Sequence, residues 1–237
     1  MTAIALITGA SSGIGRATAL RLAEGGYDLI LVGRNRARLQ EVVRMATAHG
    51  VGVTPVVADL TAEDAIEKTC NALRSEHTHL DLLVHCAGVY SPSGVLEADP
   101  DEITRLLTLN VAVPMLLTRG LADQILAARG NIVFVNSSIV FFPKAFSGLY
   151  TASRHALVGV ADSLRQELRG REVGVLTVFV GATATPMQAQ IIEVQKGTYD
   201  ERYLLAPEDV AQAIHSAISL DRAAEVTELY VRPRRLA

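Results

Sequence analysis

The feature that most constrains the fold of this chain is a regular alternation of short apolar runs with longer segments of helical period. The apolar runs, rich in branched residues, cover 4–8, 29–32, 53–58, 80–85, 132–136, 173–180 and, more weakly, 229–231. The helical patterns lie between them, at 13–24, 36–49, 62–76, 102–128, 150–169 and 207–220. Strands that are apolar on both faces belong in a parallel sheet covered by helices. The sequence therefore predicts an α/β fold with a doubly wound parallel sheet of about seven strands flanked by helices.

Nothing in the sequence marks a boundary between domains. It has no repeat of fixed period, no low-complexity tract and no linker rich in Pro, Gly and Ser. A length of 237 residues suits one large α/β domain, so we predict a single domain over 1–237. The polar stretch 188–205 interrupts the alternation. A long excursion within a compact domain is typical of a lid or binding loop, with disorder as the alternative, and we predict a substrate loop there.

The composition excludes several classes of protein. The chain is 49% hydrophobic and carries a net charge of −3, which argues against a disordered chain and against the basic patch that nucleic-acid binding needs. No stretch reaches the roughly 18–20 apolar residues of a transmembrane helix. Two cysteines, Cys70 and Cys86, are too few for a disulfide framework or a four-ligand zinc site. We therefore expect a cytoplasmic protein with no metal and no nucleic-acid or membrane partner.

A glycine-rich segment, Thr8-Gly9-Ala10-Ser11-Ser12-Gly13-Ile14-Gly15-Arg16, joins the first apolar run to the first helical segment. Glycines there let the backbone turn tightly and approach a pyrophosphate, while free amides at the helix start face its charge. Glycines also serve ordinary turns, but the position between a first strand and a helix favours a nucleotide site in a Rossmann-like fold. The residues predicted to bind the cofactor here are Gly9, Ser11, Ser12, Gly13, Ile14 and Gly15.

The end of the second strand predicts which dinucleotide is bound. Sites that prefer NAD place an acidic residue there for the ribose 2′-hydroxyl, whereas a 2′-phosphate needs a cation. This chain has Gly33-Arg34-Asn35-Arg36, with no acid, and an arginine fork suits phosphate oxygens. Arg36 and Arg38 are interpreted as solvated residues at the start of the next helix. The alternative for Arg34 is that it, too, is only a solvated residue at that helix start. We predict that Arg34 favours NADP(H), with NAD(H) possible.

Further segments match one family in order. They are Asp59-Leu60, His85-Cys86-Ala87-Gly88, Leu109-Asn110-Val111, Asn136-Ser137-Ser138 and Tyr150-Thr151-Ala152-Ser153-Arg154. Together with the glycine-rich segment, they resemble the short-chain dehydrogenase/reductase family, single-domain branch, from residue 3 to about residue 187. The segments 205–211 and 228–233 resemble the tails of members that act on small hydroxy acids and related carbonyls, and they are much less specific.

The resemblance implies an oxidoreductase that moves a hydride between nicotinamide and a small carbonyl or secondary alcohol. It implies Tyr150 as the acid/base and Ser138 as the partner of the carbonyl oxygen, with Ser137 as the fallback. Residues four apart on a helix share a face, so the cation at Arg154 can lie beside the Tyr150 phenol and favour its ionised form. Asn110 is implied to hold a water in the proton path.

The resemblance also implies a wider set of cofactor contacts. Thr183 and Thr185 match positions that hold the nicotinamide carboxamide, with a plain capping turn as the alternative. The residues implied in this set are Asp59, Leu60, Cys86, Ala87, Gly88, Tyr150, Arg154, Gly181, Thr183 and Thr185.

Four positions depart from the family pattern. Arg154 replaces the usual lysine, and because arginine stays protonated it cannot relay a proton. His85 and Cys86 replace two asparagines, and Val180 replaces a proline. The alternative function is therefore a nucleotide-binding regulatory or scaffold protein with impaired catalysis.

Partners are less constrained than the cofactor. The long helical segments 102–128 and 150–169 are rich in Ala and Leu, and in the resembling enzymes such helices form dimers and tetramers. We expect a homodimer or homotetramer; packing of these helices on the sheet alone is the simpler account. Phe141, Phe142, Phe146 and Leu149 suggest an apolar wall near Tyr150, or part of the core.

Overall fold

The sheet follows the predicted order of strands. The structure, a computed structural model, describes residues 2–235, so both ends of the domain predicted over 1–237 lie outside it. Within those residues, seven parallel strands form one sheet in the order β3-β2-β1-β4-β5-β6-β7. They are β1 (Ile4–Thr8), β2 (Asp28–Gly33), β3 (Val53–Val57), β4 (Leu82–His85), β5 (Asn131–Ser137), β6 (Gly174–Val180) and β7 (Glu228–Val231). The predicted doubly wound parallel sheet in a single domain is confirmed.

Helices cover both faces of this sheet. They are α1 (Gly13–Glu24), α2 (Arg36–Thr47), α3 (Ala65–Glu76), α4 (Pro100–Leu107), α5 (Val113–Gly120), α6 (Ala122–Ala128), α7 (Gly148–Glu167), α8 (Pro186–Val194) and α9 (Pro207–Ile218). Leu22, Val42 and Ile214 bring α1, α2 and α9 into one core, and residues of α3, α5 and α7 form the core on the opposite face. Each fully buried leucine in these cores contributes roughly 1.5–3 kcal/mol through its removal from water.

The order of the strands positions the functional end of the sheet. β1 pairs with β2 on one side and with β4 on the other, so the chain runs outward in both directions from this pair. In an open α/β sheet, the carboxyl ends of the strands at such a reversal border a crevice that binds ligands. Thr8 and His85, paired at the ends of β1 and β4, mark the place.

The single helix predicted over 102–128 is wrong. The segment is divided into α4, a π-helical turn at Thr108–Ala112, α5 and α6, and α6 is bent by 62° from the part before it. Pro114 lacks an amide hydrogen at the start of α5, which removes a backbone hydrogen bond and explains the wider turn before it.

The substrate loop predicted over 188–205 is only partly a loop. Pro186 begins α8, for which the Thr185 hydroxyl accepts a hydrogen bond from the Gln188 amide, and the helix continues to Val194. A 3₁₀ turn at Glu201–Tyr203 follows. Proline at the first helical position and threonine as the cap are the sequence signals for this helix.

No single helix within residues 2–235 is long and apolar enough to cross a membrane. The bent pair Pro100–Gly120 and Ala122–Ala128 meets the criteria of length and composition together, and its residues Leu117, Leu121 and Ile125 are buried in the core.

His85, at the end of β4, is a buried neutral base. Its ring stacks on Phe134 with 5.0 Å between centroids, and Nε2 lies 2.9 Å from the Thr118 hydroxyl. Burial lowers the pKa of His85 from 6.5 to about 3, because the imidazolium would lose its hydration. Its neighbour Cys86 faces the crevice instead, as expected for adjacent residues of a strand.

His85 should make the protein sensitive to acid. Between pH 6.5 and about 3 the unfolded chain binds a proton at this residue that the folded chain does not. The free energy of unfolding therefore falls by about 1.4 kcal/mol per pH unit on acidification through this window. We expect His85→Asn to reduce the pH dependence of the free energy of unfolding by the contribution of one proton, about 1.4 kcal/mol per pH unit, whatever its effect on stability at neutral pH. Urea unfolding at several pH values measures the slope, and equal slopes for the two proteins would contradict the assignment.

Candidate active site

One cavity of about 790 Å³ runs along the carboxyl ends of the strands and collects almost all of the predicted site residues. It is large for a ligand site in a protein, which leaves room for a nucleotide and a small second molecule. The predicted cofactor contacts that line it are Gly9, Ser11, Ser12, Gly13, Ile14, Gly15, Arg34, Asp59, Leu60, Cys86, Ala87, Gly88, Tyr150, Arg154, Gly181, Thr183 and Thr185. Ser138 also lines the cavity, whereas Asn110 lies behind its wall.

The glycine-rich segment forms a close-packed cradle at one side of this cavity. Gly9 has a φ of +67°, and a Cβ there would lie 2.9 Å from the amide nitrogen of Ala87. A Cβ on Gly15 would collide with the carbonyl oxygen of Gly9. The backbone can follow this path only without side chains, and it thereby leaves space for a ligand next to the peptide groups.

The start of α1 offers unsatisfied amides to that space. Ser12, the residue before the helix, makes no capping hydrogen bond with its side chain, and the first turn contains no acidic residue. The amides of the first turn carry the positive end of the helix dipole and lack intrahelical partners. A phosphate group is the ligand that fits such a helix start and glycine cradle.

Two arginines line the far end of the cavity, where one was predicted. Arg34 Nη1 lies 4.0 Å from Asp59 Oδ2, and both side chains are largely exposed. Hydrogen bonds from Thr61 chiefly lower the pKa of Asp59, and the Arg34 charge adds to the effect. Arg38 is exposed, as expected, and it also lines the cavity from the first turn of α2. Its place in the first helical turn after Arg34 and Asn35 is the signal from which this second cation could have been found.

Tyr150 lies between an aromatic ring and a cation at the other end. The carbon of the Arg154 guanidinium is 4.8 Å from the centroid of the Tyr150 ring, and the Tyr90 ring packs edge-on at 5.3 Å. Tyr150 and Arg154 are one turn apart on α7, and both are more than nine-tenths buried. Tyr90, which sequence analysis did not single out, holds the phenol ring in a fixed orientation.

The Arg154 guanidinium is buried without a carboxylate. Nη1 donates to the carbonyl oxygen of Val135 at 3.3 Å, and Nε has no partner among residues 2–235. Arg154 makes no salt bridge within the part of the chain that the structure describes. A buried charge with unused donors favours a polar or ionised ligand in the cavity that it borders.

Gly88 packs directly against the Arg154 guanidinium. A Cβ at position 88 would be 2.6 Å from Arg154 Nη2 and 3.2 Å from Asn110 Oδ1. The glycine therefore makes room for the larger cation that stands in place of the family's lysine.

The two serines differ in how their hydroxyls are used. The Ser137 hydroxyl accepts a hydrogen bond from the Ile139 amide and so caps the short 3₁₀ turn at Ser138–Val140. The Ser138 hydroxyl has no hydrogen-bond partner among the described residues, and it lines the cavity beside Tyr150. Ser137 also lines the cavity, and its O–H hydrogen has no acceptor among the described residues, so both serines can still donate a hydrogen bond to a ligand.

Asn110 fixes the backbone beside Gly88. In the π-helical turn, its Oδ1 accepts from the Val89 amide at 2.9 Å, and its Nδ2 donates to the Val89 carbonyl and to the Ser153 hydroxyl. Both amide hydrogens are thus engaged by protein groups. Only the remaining lone pair of Oδ1 is left to accept from a water.

The two threonines after β6 serve different local structures. The Thr183 hydroxyl donates to the carbonyl of Gly181 at 2.9 Å. Thr185 is the cap of α8, so the capping alternative describes its hydroxyl. Both residues line the cavity, and Thr185 lies next to Gly13 of the glycine cradle.

The wall on the side of Tyr150 that faces α8 comes from the stretch 188–205, which was predicted as a substrate loop without naming the residues that line the site. Spacings of three and four residues place Gln188, Ile191 and Gln195 on one face of this helix and its end. The other cavity residues that were not predicted to bind a ligand include Tyr90, Ser147, Lys144 and Met187. Their only signal in the sequence is proximity to Gly88, Tyr150 or Thr185. Phe142 lines the cavity as expected, whereas Phe141 packs on Phe179 and Tyr230.

Comparisons with known proteins agree with this geometry. The chain is 32% identical to an uncharacterized short-chain type dehydrogenase/reductase of Sinorhizobium fredii, over 97% of this chain and 91% of that protein. It is 31% identical to 1-deoxy-11-beta-hydroxypentalenate dehydrogenase of Streptomyces exfoliatus, over 93% and 81% respectively. A metagenomic short-chain oxidoreductase solved in complex with NADP superposes with a TM-score of 0.85 and 29% identity, covering 99% of this chain and 98% of that one.

The family model for short chain dehydrogenases matches residues 3–196, which include β1 with its glycine cradle, Tyr150, Arg154 and α8. The chain therefore belongs to the short chain dehydrogenase family of oxidoreductases.

Proposed function

We propose that this protein is an NADP(H)-dependent oxidoreductase of the cytoplasm that interconverts a small carbonyl compound and a secondary alcohol. The observation that carries the proposal is the contact of the buried Arg154 guanidinium with the Tyr150 ring, in the same cavity as the glycine cradle. The NADP of the structurally similar metagenomic oxidoreductase and the hydroxy substrate in the name of the Streptomyces relative support it.

The cofactor supplies a hydride to the carbonyl carbon, or accepts one from the alcohol. Gly9, Gly13 and Gly15 leave room for its pyrophosphate, and the amides at the start of α1 bind that charge. Thr183 and Thr185 border the space for the nicotinamide ring. Arg154 lines the cavity, its Nη2 makes no hydrogen bond to a described residue, and it binds the nicotinamide ribose.

Tyr150 exchanges the proton at the substrate oxygen. A phenol is a weak acid, and a positive charge next to its ring stabilises the phenolate that remains after proton donation. Arg154 holds that charge 4.8 Å from the ring centroid. Because arginine does not lose its own proton, the proton that Tyr150 gives up must return through the ribose or through water. Asn110 holds such a water through the free lone pair of Oδ1.

Ser138 holds the substrate oxygen next to Tyr150. Its hydroxyl has no partner among the described residues, and it lies at the end of β5, which pairs with β4 and β6. A hydrogen bond aimed at the oxygen where negative charge develops lowers the barrier to hydride transfer.

Removal of the Tyr150 hydroxyl tests the reaction. Tyr150→Phe keeps the ring between Tyr90 and Arg154 and removes only the proton donor. We expect NADPH still to bind through the glycine cradle and Arg34, while oxidation of NADPH with a panel of ketones and aldehydes falls by at least about 10²-fold. NADPH absorbance and fluorescence measure turnover and binding. No turnover by the unmodified protein with either cofactor across a broad panel would overturn the proposed function.

The neighbouring serines provide a matched pair for the same assay. Ser138→Ala removes the hydroxyl that makes no hydrogen bond to a described residue, and we expect kcat to fall by about 10²-fold, as for loss of one donor to a developing oxyanion. Ser137→Ala removes a local cap and should cost much less. A larger loss in the Ser137 variant would exchange the roles of the two residues.

A second matched pair tests the choice of cofactor. Arg34→Ala removes a cation that lines the cavity, and since a hydrogen bond to a charged group contributes about 1.5–3 kcal/mol, NADPH affinity should fall by roughly 10- to 100-fold. NADH affinity should change little, because NADH has no 2′-phosphate. Arg36→Ala, an exposed change outside the cavity wall, is the control. Equal losses for NADPH and NADH would contradict a contact to the 2′-phosphate.

We also propose that the protein is a homodimer or homotetramer. Leu107, Met115 and Leu116 leave more than a third of their surface exposed on α4 and α5. Apolar side chains grouped on one helical segment are typical of an interface between subunits. Light scattering at micromolar concentration measures the mass, and a monomer would contradict the assembly.

A further inference from the structure

The cavity also indicates the chemical class of the substrate. We propose that the substrate carries a carboxylate, bound by Lys144, so that the enzyme prefers an oxo acid or hydroxy acid to its neutral analogues. This inference rests on the proposed function and names the substrate class of the same site.

In the sequence, Lys144 lies between Ser138 and Tyr150, the two residues proposed to bind the substrate oxygen. It follows the 3₁₀ turn that begins at Ser138 and precedes α7, which carries Tyr150, and it lines the cavity at this end. Its side chain forms no ion pair with any carboxylate in the part of the chain that the structure describes. An ammonium group is therefore free to meet a ligand that enters beside Tyr150.

The charges that line the cavity are distributed unevenly. Asp59 is the only carboxylate on the wall formed by residues 2–235, and it lies at the far end, 4.0 Å from Arg34. The charged side chains at the Tyr150 end are Arg154 and Lys144, both positive. Low-dielectric walls with one sign of charge concentrate the field within a cleft. A substrate with one negative charge is attracted to this end, whereas a cationic one is repelled.

The two cations have different tasks. Arg154 is buried against the Tyr150 ring and donates to the Val135 carbonyl, so its position is fixed inside the site. Lys144 is exposed at the cavity wall and has a long, flexible side chain that can adjust to a ligand. Lys144 is thus the cation available to the distal part of a substrate.

The opposite wall fits an acid with an apolar body. The face of α8 directed at the cavity presents Gln188, Ile191 and Gln195, and Phe142 lies on the Lys144 side. The glutamine amides can donate to carboxylate oxygens, and the apolar side chains can cover a hydrocarbon chain. The distal part of the substrate thus meets one ammonium and two neutral amides, and the single positive charge of this set matches the single negative charge of a carboxylate.

The experiment compares oxo acids of increasing chain length with their methyl esters and primary amides. We expect kcat/KM for the acid to exceed that for the matched ester by about tenfold, as a charge-assisted hydrogen bond implies. Lys144→Met should remove this preference, and Lys144→Arg should retain most of it. Lys68→Met, an exposed lysine on α3 outside the cavity wall, is the control and should keep the full preference.

The outcomes separate this inference from the proposed function. Turnover of neutral ketones with equal kcat/KM for acid and ester leaves the reaction in place and overturns the carboxylate. A preference that survives in Lys144→Met overturns the assignment to Lys144, and a stronger preference for phosphonate analogues overturns the choice of carboxylate.

Binding gives a readout that does not require turnover. Calorimetry in the presence of NADP⁺ compares the affinity for hydroxy acids with that for the corresponding amides. The measurement is made on the unmodified protein and on the Lys144→Met variant. Tighter binding of the acids that is lost in Lys144→Met supports the inference, even if no substrate is turned over. Absence of turnover would overturn only the proposed reaction. Equal binding of acids and amides, or no binding of either, overturns the inference.

Discussion

The site depends on how closely the turn after β1 approaches the segment after β4. The Thr8 hydroxyl accepts hydrogen bonds from the amides of Cys86 and Ala87, at 3.2 and 3.1 Å, so the side chain that ends one strand holds the chain that leaves the other. Gly9 then packs against Ala87 without room for a Cβ. Strand pairing alone brings the two ends to one edge of the sheet, and this contact sets the width of the crevice between them.

The same segment, 87–89, connects the glycine cradle with the end of the cavity that holds Tyr150 and Arg154. Ala87 touches the glycine cradle, Gly88 lies under Arg154, and Val89 is held at both its amide and its carbonyl by Asn110. A shift of this segment would therefore change the cradle and the cation together. A buried charge without a carboxylate is tolerated because the surrounding carbonyl, aromatic ring and ligand space replace part of its hydration.

Much of this arrangement could be predicted from the sequence, because the spacing of apolar residues and the positions of Gly and Pro depend on the local backbone conformation. The strands were located within two residues, since branched apolar runs in a parallel sheet have few alternatives. The glycine cradle followed from its place between a strand and a helix. The π-helical turn was missed, although Pro114 signals it, and the cap of α8 was given only as the alternative for Thr185, although the Thr185-Pro186 pair signals it. The face of α8 lies within the stretch predicted as a substrate loop. Tyr90 and Lys144 were not singled out, because they reach the cavity wall through contacts between segments distant in sequence.

The packing of Gly88 under Arg154 has a consequence for how this site can vary. Because the guanidinium occupies the volume where a side chain at 88 would begin, the sizes of the two residues are coupled. A lysine at 154 would free that volume, whereas any larger residue at 88 would push an arginine toward the Tyr150 ring or out into the cavity. The size that position 88 can accept therefore depends on the residue at position 154, 66 residues further along the chain, and an arginine there restricts position 88 to glycine.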